Sequence, residues 1–250
     1  TAPEEAVCGL RLTMIWRDNL GEYGRAQALG DGIPAPALHR CSAATRANLA
    51  FARTGVAIRL GRLDAAETLG AEAVDAADQG GDAGLRGHAR VCLAGALKQR
   101  GRFSEALSLY MQAEAFHQLS GDLVSMARGQ LNRGLLLNRL GWVREAATTL
   151  DGAHRRACEI SHRPLVLRTG LGLGLVAVRR GEFDSARRRL LHGWLEARRL
   201  RMPREQALAL EFLGEALILV GRVNTARRVL ALCRRTAERL ASGGDLIAEC

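Results

Sequence analysis

The stretch R-T-G-L-G-L-G-L-V-A-V-R-R-G, residues 168–181, has the residue types and spacing of a phosphate-binding loop. Gly172, Gly174 and Ala177 satisfy G-x-G-x-x-A, the pattern that brings backbone N–H groups against the pyrophosphate of a dinucleotide. That chemistry requires a β-strand before the glycines and a βαβ unit around them, and the flanking sequence supplies neither. Other chemistries lack their parts as well. There is no G-x-x-x-x-G-K-[ST], and Lys98, the single lysine, follows no glycine-rich loop. Neither H-E-x-x-H nor G-x-S-x-G occurs. His39, His88, His117, His154, His162 and His192 are spread over different segments, and paired carboxylates such as Glu4 and Glu5 read as helix surface. The chain therefore reads as non-enzymatic, with no cofactor and no metal.

Cysteine usage points the same way. Cys8, Cys41, Cys92, Cys158, Cys233 and Cys250 form no C-x-x-C pair and no zinc spacing. In a chain with this much apolar content they read mostly as small buried hydrophobes in a reducing cytoplasm. No apolar run is long enough to span a membrane, and the N-terminal T-A-P-E-E-A-V-C-G-L lacks the basic start and apolar stretch of a signal peptide.

The elements that carry these residues follow from composition and period. The 250 residues are 48% hydrophobic with only ten aromatics, and Ala, Leu, Gly and Arg dominate, which favours helices over sheets. The net charge is +10 and uneven: residues 1–150 hold 17 basic and 15 acidic groups, residues 151–250 hold 19 and 11. Such a surface attracts acidic partners by its long-range field.

The chain repeats every 40 residues. Gly21, Gly61, Gly101, Gly141, Gly181 and Gly221 are equally spaced, and alanine follows five residues after each: Ala26, Ala66, Ala106, Ala146, Ala186 and Ala226. Two residues after each glycine stands an apolar side chain: Tyr23, Leu63, Phe103, Val143, Phe183, Val223. Seven residues before the last five come small or short residues: Thr54, Ala94, Gly134, Gly174 and Gly214. Each copy predicts two amphipathic helices joined at the glycine, where a left-handed backbone costs little. The alanine marks a close helix crossing. Polar breaks separate the copies, among them S-H-R-P (161–164) and R-M-P (201–203); Pro164 and Pro203 suit a first helical turn. Asp82, Asp122 and Asp245 are expected N-caps. Gly174 and Gly181 are thus repeat positions, and Ala177 lies on a buried face. Gly170 and Gly172 fall outside the repeat, and close helix packing is the expectation for both.

Small residue, seven-residue gap, glycine, apolar at plus two and alanine at plus five: this resembles the tetratricopeptide repeat, with L-N-R-G-L-L-L-N-R-L-G-W-V-R-E-A-A-T-T-L (131–150) among the clearest copies. The resemblance implies an all-α, right-handed superhelical solenoid of about six helix pairs, with copies near 4–40, 41–81, 82–121, 122–161, 162–201 and 202–241. Residues 242–250 would open a further helix of a longer protein. The chain departs from the family: its period is 40 rather than about 34, and the family's closing proline is replaced by Asp78, Gln118, Cys158, Arg198 and Glu238. The first copy is weakest, with Met14 at the small position and G-D-G-I-P-A-P-A-L-H (30–39) breaking a short second helix. In style the copies also resemble repeat regions of bacterial multidomain transcription regulators, of the LuxR-class large ATP-binding type or the ATP-dependent enhancer-binding type.

The family's first helices line a concave face. Carried over residue by residue, this implies a peptide- or protein-binding surface of Asn48, Phe51, His88, Lys98, Arg128, Asn132, Leu135, Asn138, Arg139, Arg168, Leu171, Leu175, Arg179, Glu211 and Glu215. Asn can pair with a peptide backbone and Arg can fork a carboxylate, so an acidic peptide end is the expected ligand. The runs at 187–189, 197–204 and 233–235 fall mostly on second helices, the outer face. Without aromatic stacking platforms they argue against nucleic acid. Trp142 and Trp194 are expected at repeat packing, with a homodimer or a neighbouring domain as the alternative. The reading is a cytoplasmic, regulatory binding module; a constitutive scaffold and a basic nucleic-acid binder are its rivals.

Overall fold

The computed structural model describes residues 2–19, 22–80 and 82–238. All regular elements among them are helical. They fall into two compact units, residues 1–122 and 123–250. The first unit holds α1 (Ala2–Asn19), α2 (Tyr23–Asp31), α3 (Ala35–His39), α4 (Ala43–Arg59), α5 (Leu63–Gly80), α6 (Ala83–Gln99) and α7 (Phe103–Ser120). The second holds α8 (Leu123–Arg139), α9 (Val143–Glu159), α10 (Arg163–Arg179), α11 (Phe183–Arg199), α12 (Pro203–Leu219) and α13 (Val223–Glu238). Each first helix packs on its own second helix, as α4 on α5 and α8 on α9. Within each unit, first helices also pack on the next first helix, as α4 on α6 and α10 on α12. This is the all-α, tetratricopeptide-like array of helix pairs that the period implied. Among the described residues, no helix is long and apolar enough to cross a membrane. Gly21, Asp245, Cys250 and the helix expected to open at 242 lie outside the described residues.

The repeat glycines turn the chain as expected. Gly61, Gly101, Gly141, Gly181 and Gly221 have φ of 69°, 79°, 82°, 76° and 74°. Each stands inside a Schellman closure; Trp142 N–H, for example, donates to Leu137 O at 3.0 Å. A second register appears that the sequence reading treated as irregular polar breaks. Gly121, Ser161 and Arg201 are also left-handed, at φ 68°, 54° and 51°, twenty residues after a turn glycine. His162 N–H closes on Ala157 O and Met202 N–H on Ala197 O. The underlying unit is thus a helix of 17 or 18 residues every twenty, from α4 to α12. Asp82 caps α6 by accepting from Leu85 N–H, and Pro164 and Pro203 sit in first turns, as expected.

Packing follows the register. Ala66, Ala106, Ala146 and Ala186 are 0% exposed and Ala226 is 1%. The small position seven before each turn glycine is matched to the residue nine after it. A Cβ on Gly134 would lie 2.6 Å from Leu150 Cγ, and one on Gly174 would lie 2.8 Å from Leu190 Cδ2. Gly214 meets Leu230 in the same way. In the weak first copy the sizes are reversed: Met14 is buried, and a Cβ on Gly30 would lie 3.1 Å from its sulfur. Total volume at the crossing is conserved while its source changes sides. The 30–39 break contains α3, with Pro36 in its first turn. Trp142 is the exposed N-cap of α9, and Trp194 packs on the core between α11 and α12. Cys41, Cys92 and Cys233 are buried, and burial pushes the Cys92 thiol up to about 12. Cys158 is the exception and is exposed.

Candidate functional site

The residues assigned to the first-helix face are divided by the structure. In the first unit, Asn48 on α4 spends its amide on Ala44 O at 3.0 Å, and Lys98 is half-buried on α6. His88 on α6 meets the Phe51 ring, with centroids 6.0 Å apart. In the second unit, Arg128 and Arg139 are exposed on α8, with Asn132 and Leu135 half-buried beside them. Leu175 on α10 and Glu211 on α12 are half-buried. Two assignments need correction, because Asn138 and Leu171 are 2% and 3% exposed and offer no side chain to a ligand. Asn138 lies four residues after buried Gly134 and Leu171 three before buried Gly174, which puts both on the helix's inner stripe. Among the charged members, Arg168, Arg179 and Glu215 are paired across successive first helices. Arg168 Nε donates to Glu205 Oε1 at 2.6 Å, and Arg179 meets Glu215 at 3.1 Å.

A cleft of 780 Å³ lies instead between the second helices α9 and α11, floored by α10. Its floor is Val166, Leu167 and Gly170, with Gly193 of α11 beside it. Its walls carry Arg163, Arg188, Arg189, His154 and His192, against one carboxylate, Glu196. Arg163 donates to Glu196 at 2.6 Å, and that bond holds the Glu196 carboxyl below the usual range. Neither Arg188 nor Arg189 makes an ion pair among the described residues. Two uncompensated guanidiniums over an apolar floor form an anion-seeking site, in which each Arg can fork a carboxylate.

His154 lines this cleft with His192, Cys158 and Glu196, and its ring is held by a hydrogen bond. The Thr169 hydroxyl donates to Leu165 O at 2.7 Å, so at 2.8 Å it accepts from His154 Nδ1–H. The free lone pair is then on Nε2, 3.8 Å from Cys158 Sγ. Burial, followed by the nearby Arg189 charge, pushes the His154 pKa down, so the ring is neutral near pH 7. An anion bound beside it would reverse the second effect and favour the imidazolium.

Sequence reasoning placed Arg188 and Arg189 on the outer face without seeing a cleft. One signal was available. Gly170 and Gly172 were both expected to serve close packing, and only Gly172 does: a Cβ there would lie 3.0 Å from Leu150 and 3.4 Å from Leu135. A Cβ on Gly170 would meet only His154 Cε1, at 3.9 Å, on the edge of the open cleft. Gly193 is a second departure, standing where the repeat has Ala73, Ala113 and Ala153. There a Cβ would collide with Leu171.

No protein-family model matches the sequence, and no curated protein sequence matches it. Solved structures do match the fold. A Rap protein complexed with competence and sporulation factor superposes with TM-score 0.72 at 15% identity, covering 96% of this chain and 72% of that one. The Rap conjugation gene regulator of plasmid pLS20, in complex with the Phr* peptide, gives 0.65 at 14% identity, covering 94% and 74%. TPR-like repeats of a Podosopora anserina kinesin light chain give 0.57 at 17% identity, covering 78% and 96%.

Proposed function

We propose that this chain is a non-catalytic peptide- or protein-binding repeat module whose basic cleft, between α9 and α11, takes an acidic peptide segment. The observation that carries this is the pair Arg188 and Arg189, without carboxylate partners, over the apolar floor of a cleft of peptide-binding size. The similar folds lend support: the pLS20 regulator is in complex with the Phr* peptide, and a Rap protein with competence and sporulation factor. In this reading the module is the sensing or regulatory region of a bacterial transcription regulator, and occupancy of the cleft shifts an equilibrium between inactive and active assemblies.

The test is fluorescence anisotropy with a labelled acidic peptide, its neutral amide analogue and a single-stranded oligonucleotide of equal charge. The acidic peptide is expected to bind and the neutral analogue to bind far more weakly. R188A/R189A should abolish the difference while the helical CD signal stays intact. Equal loss with R128A or N132A alone would move the site to the first-helix face. Preference for the oligonucleotide, with a steep loss of affinity in salt, would replace the peptide by nucleic acid.

A further inference from the structure

The register leaves one pair of residues in the first unit unexplained. The pairs Ala47 and Ala77, and Ala207 and Ala237, stand at equivalent positions and share core clusters. Ala127 and Ala157 hold the same positions, and both are 0% exposed. Between α6 and α7 the pair is Gly87 and His117. One residue has lost a methyl and the other has gained an imidazole. His117 is 1% exposed, and a Cβ on residue 87 would lie 2.5 Å from its Cε1. The missing methyl is the space the ring occupies.

The buried ring meets two other metal-ligating side chains. His88 and His117 have ring centroids 5.0 Å apart, tilted by 51°. His88 Nε2 is 3.5 Å from Asp122 Oδ2, and one ligand atom from each of the three residues lies within 4.8 Å of the others. Ligand atoms about 2.0–2.1 Å from a tetrahedral ion are about 3.3 Å apart, and two imidazoles on it have centres about 5 Å apart. The His88–Asp122 separation and the ring spacing match these values, and the remaining ligand atoms, within 4.8 Å, need only a small closing of side chains. His88 and Asp122 are 36% and 34% exposed, so an ion can enter from solvent.

We propose that His88, His117 and Asp122 form a Zn²⁺ site that ties α6 to the end of α7 and leaves a fourth position to water. Two neutral imidazoles and one carboxylate suit Zn²⁺ over Ca²⁺ or Mg²⁺, which prefer all-oxygen ligands. The site lies in the first unit and uses none of the residues of the basic cleft, so each reading can fail without the other.

The full chain is stripped with chelator, dialysed and titrated with ZnCl₂ by calorimetry, and separately with Co²⁺ by absorption. One equivalent should bind, with the d–d bands of a four-coordinate N/O site and no thiolate charge-transfer band. H88Q and D122N, both at half-exposed positions, should each weaken that equivalent by more than about 100-fold, beyond the loss caused by removing a supporting group. G87A/H117A restores the alanine pair that three other copies carry; it should keep the helical CD signal and lose the ion. Zn²⁺ should raise the melting temperature of the parent chain and leave that of H88Q unchanged. The proposal is overturned by the absence of a 1:1 equivalent, by a thiolate band, or by H88Q and D122N binding as the parent does.

Discussion

The two units share one packing register and differ in charge. Residues 1–122 carry 13 basic and 14 acidic groups, whereas residues 123–250 carry 23 and 12, so the first unit is at −1 and the second at +11. In the first unit arginines bridge neighbouring helices through carboxylates. Arg90 pairs with Asp78 at 2.9 Å, and Arg100 and Arg102 converge on Glu67. In the second, Arg168 and Arg179 are paired in the same manner, but Arg188 and Arg189 are not. The buried skeleton is common to both units because it depends on volumes. The surface is free to diverge, and there the second unit gathers a basic cleft; the first unit's histidine cluster instead exchanges volume at one buried pair, Gly87 and His117, and reaches the surface through His88 and Asp122.

The largest expected effect tests the charge half of that comparison. R188A/R189A should weaken an acidic peptide by at least about tenfold, as charge-assisted hydrogen bonds contribute roughly 1.5–3 kcal/mol each. R90A in the first unit should leave that affinity unchanged. Anisotropy titrations of both variants against the parent decide whether binding belongs to the second unit.

Next comes the shared skeleton. Ala66→Leu and Ala146→Leu should each destabilise the chain by roughly 1–3 kcal/mol, since both alanines are fully buried at helix crossings. Urea melts should give similar losses in the two units. Normal stability of either variant would remove that position from the packing register.

The turns should respond more modestly and with opposite signs. Gly141→Ala places a Cβ on a left-handed residue and should cost about 1–2 kcal/mol. Arg201→Gly and Ser161→Gly relieve the same strain and should each raise stability by up to about 1 kcal/mol. Loss of stability in both glycine variants would show that their side chains hold the turn by other means.

The smallest effect is on pH. The folded His154 pKa lies below the ordinary 6.5, so protonation favours the unfolded chain. This contribution is fully present above pH 6.5 and is lost as pH falls from there through the folded value. Bound anion raises that pKa, so peptide affinity should increase as pH drops through the same window. His154→Gln should flatten both profiles; an unchanged slope would remove His154 from the linkage.

Much of the fold could be read without coordinates. Equal spacing of Gly61 to Gly221 and the alanines five residues later pointed to paired helices with close crossings, because these residue types meet the backbone and volume demands there at least cost. The left-handed Ser161 and Arg201 were invisible, since neither residue type advertises that conformation. The binding face was half legible. Carried over from the family's first-helix face, the mapping put His88 and Arg128 on the surface, but it also assigned Asn138 and Leu171, which the helix phase buries.

What the sequence determined by itself was therefore local and periodic: helix ends, turn positions, the volume matched at each crossing and the excess of arginine. Only the tertiary structure decided which charges cancel and which remain, because Glu205 and Glu215 reach back to Arg168 and Arg179 across 37 and 36 residues. It also opened a cleft where Gly170 withholds a side chain. And it brought His88 to His117 and Asp122, three residues with no motif spacing that share one place once α6 packs on α7.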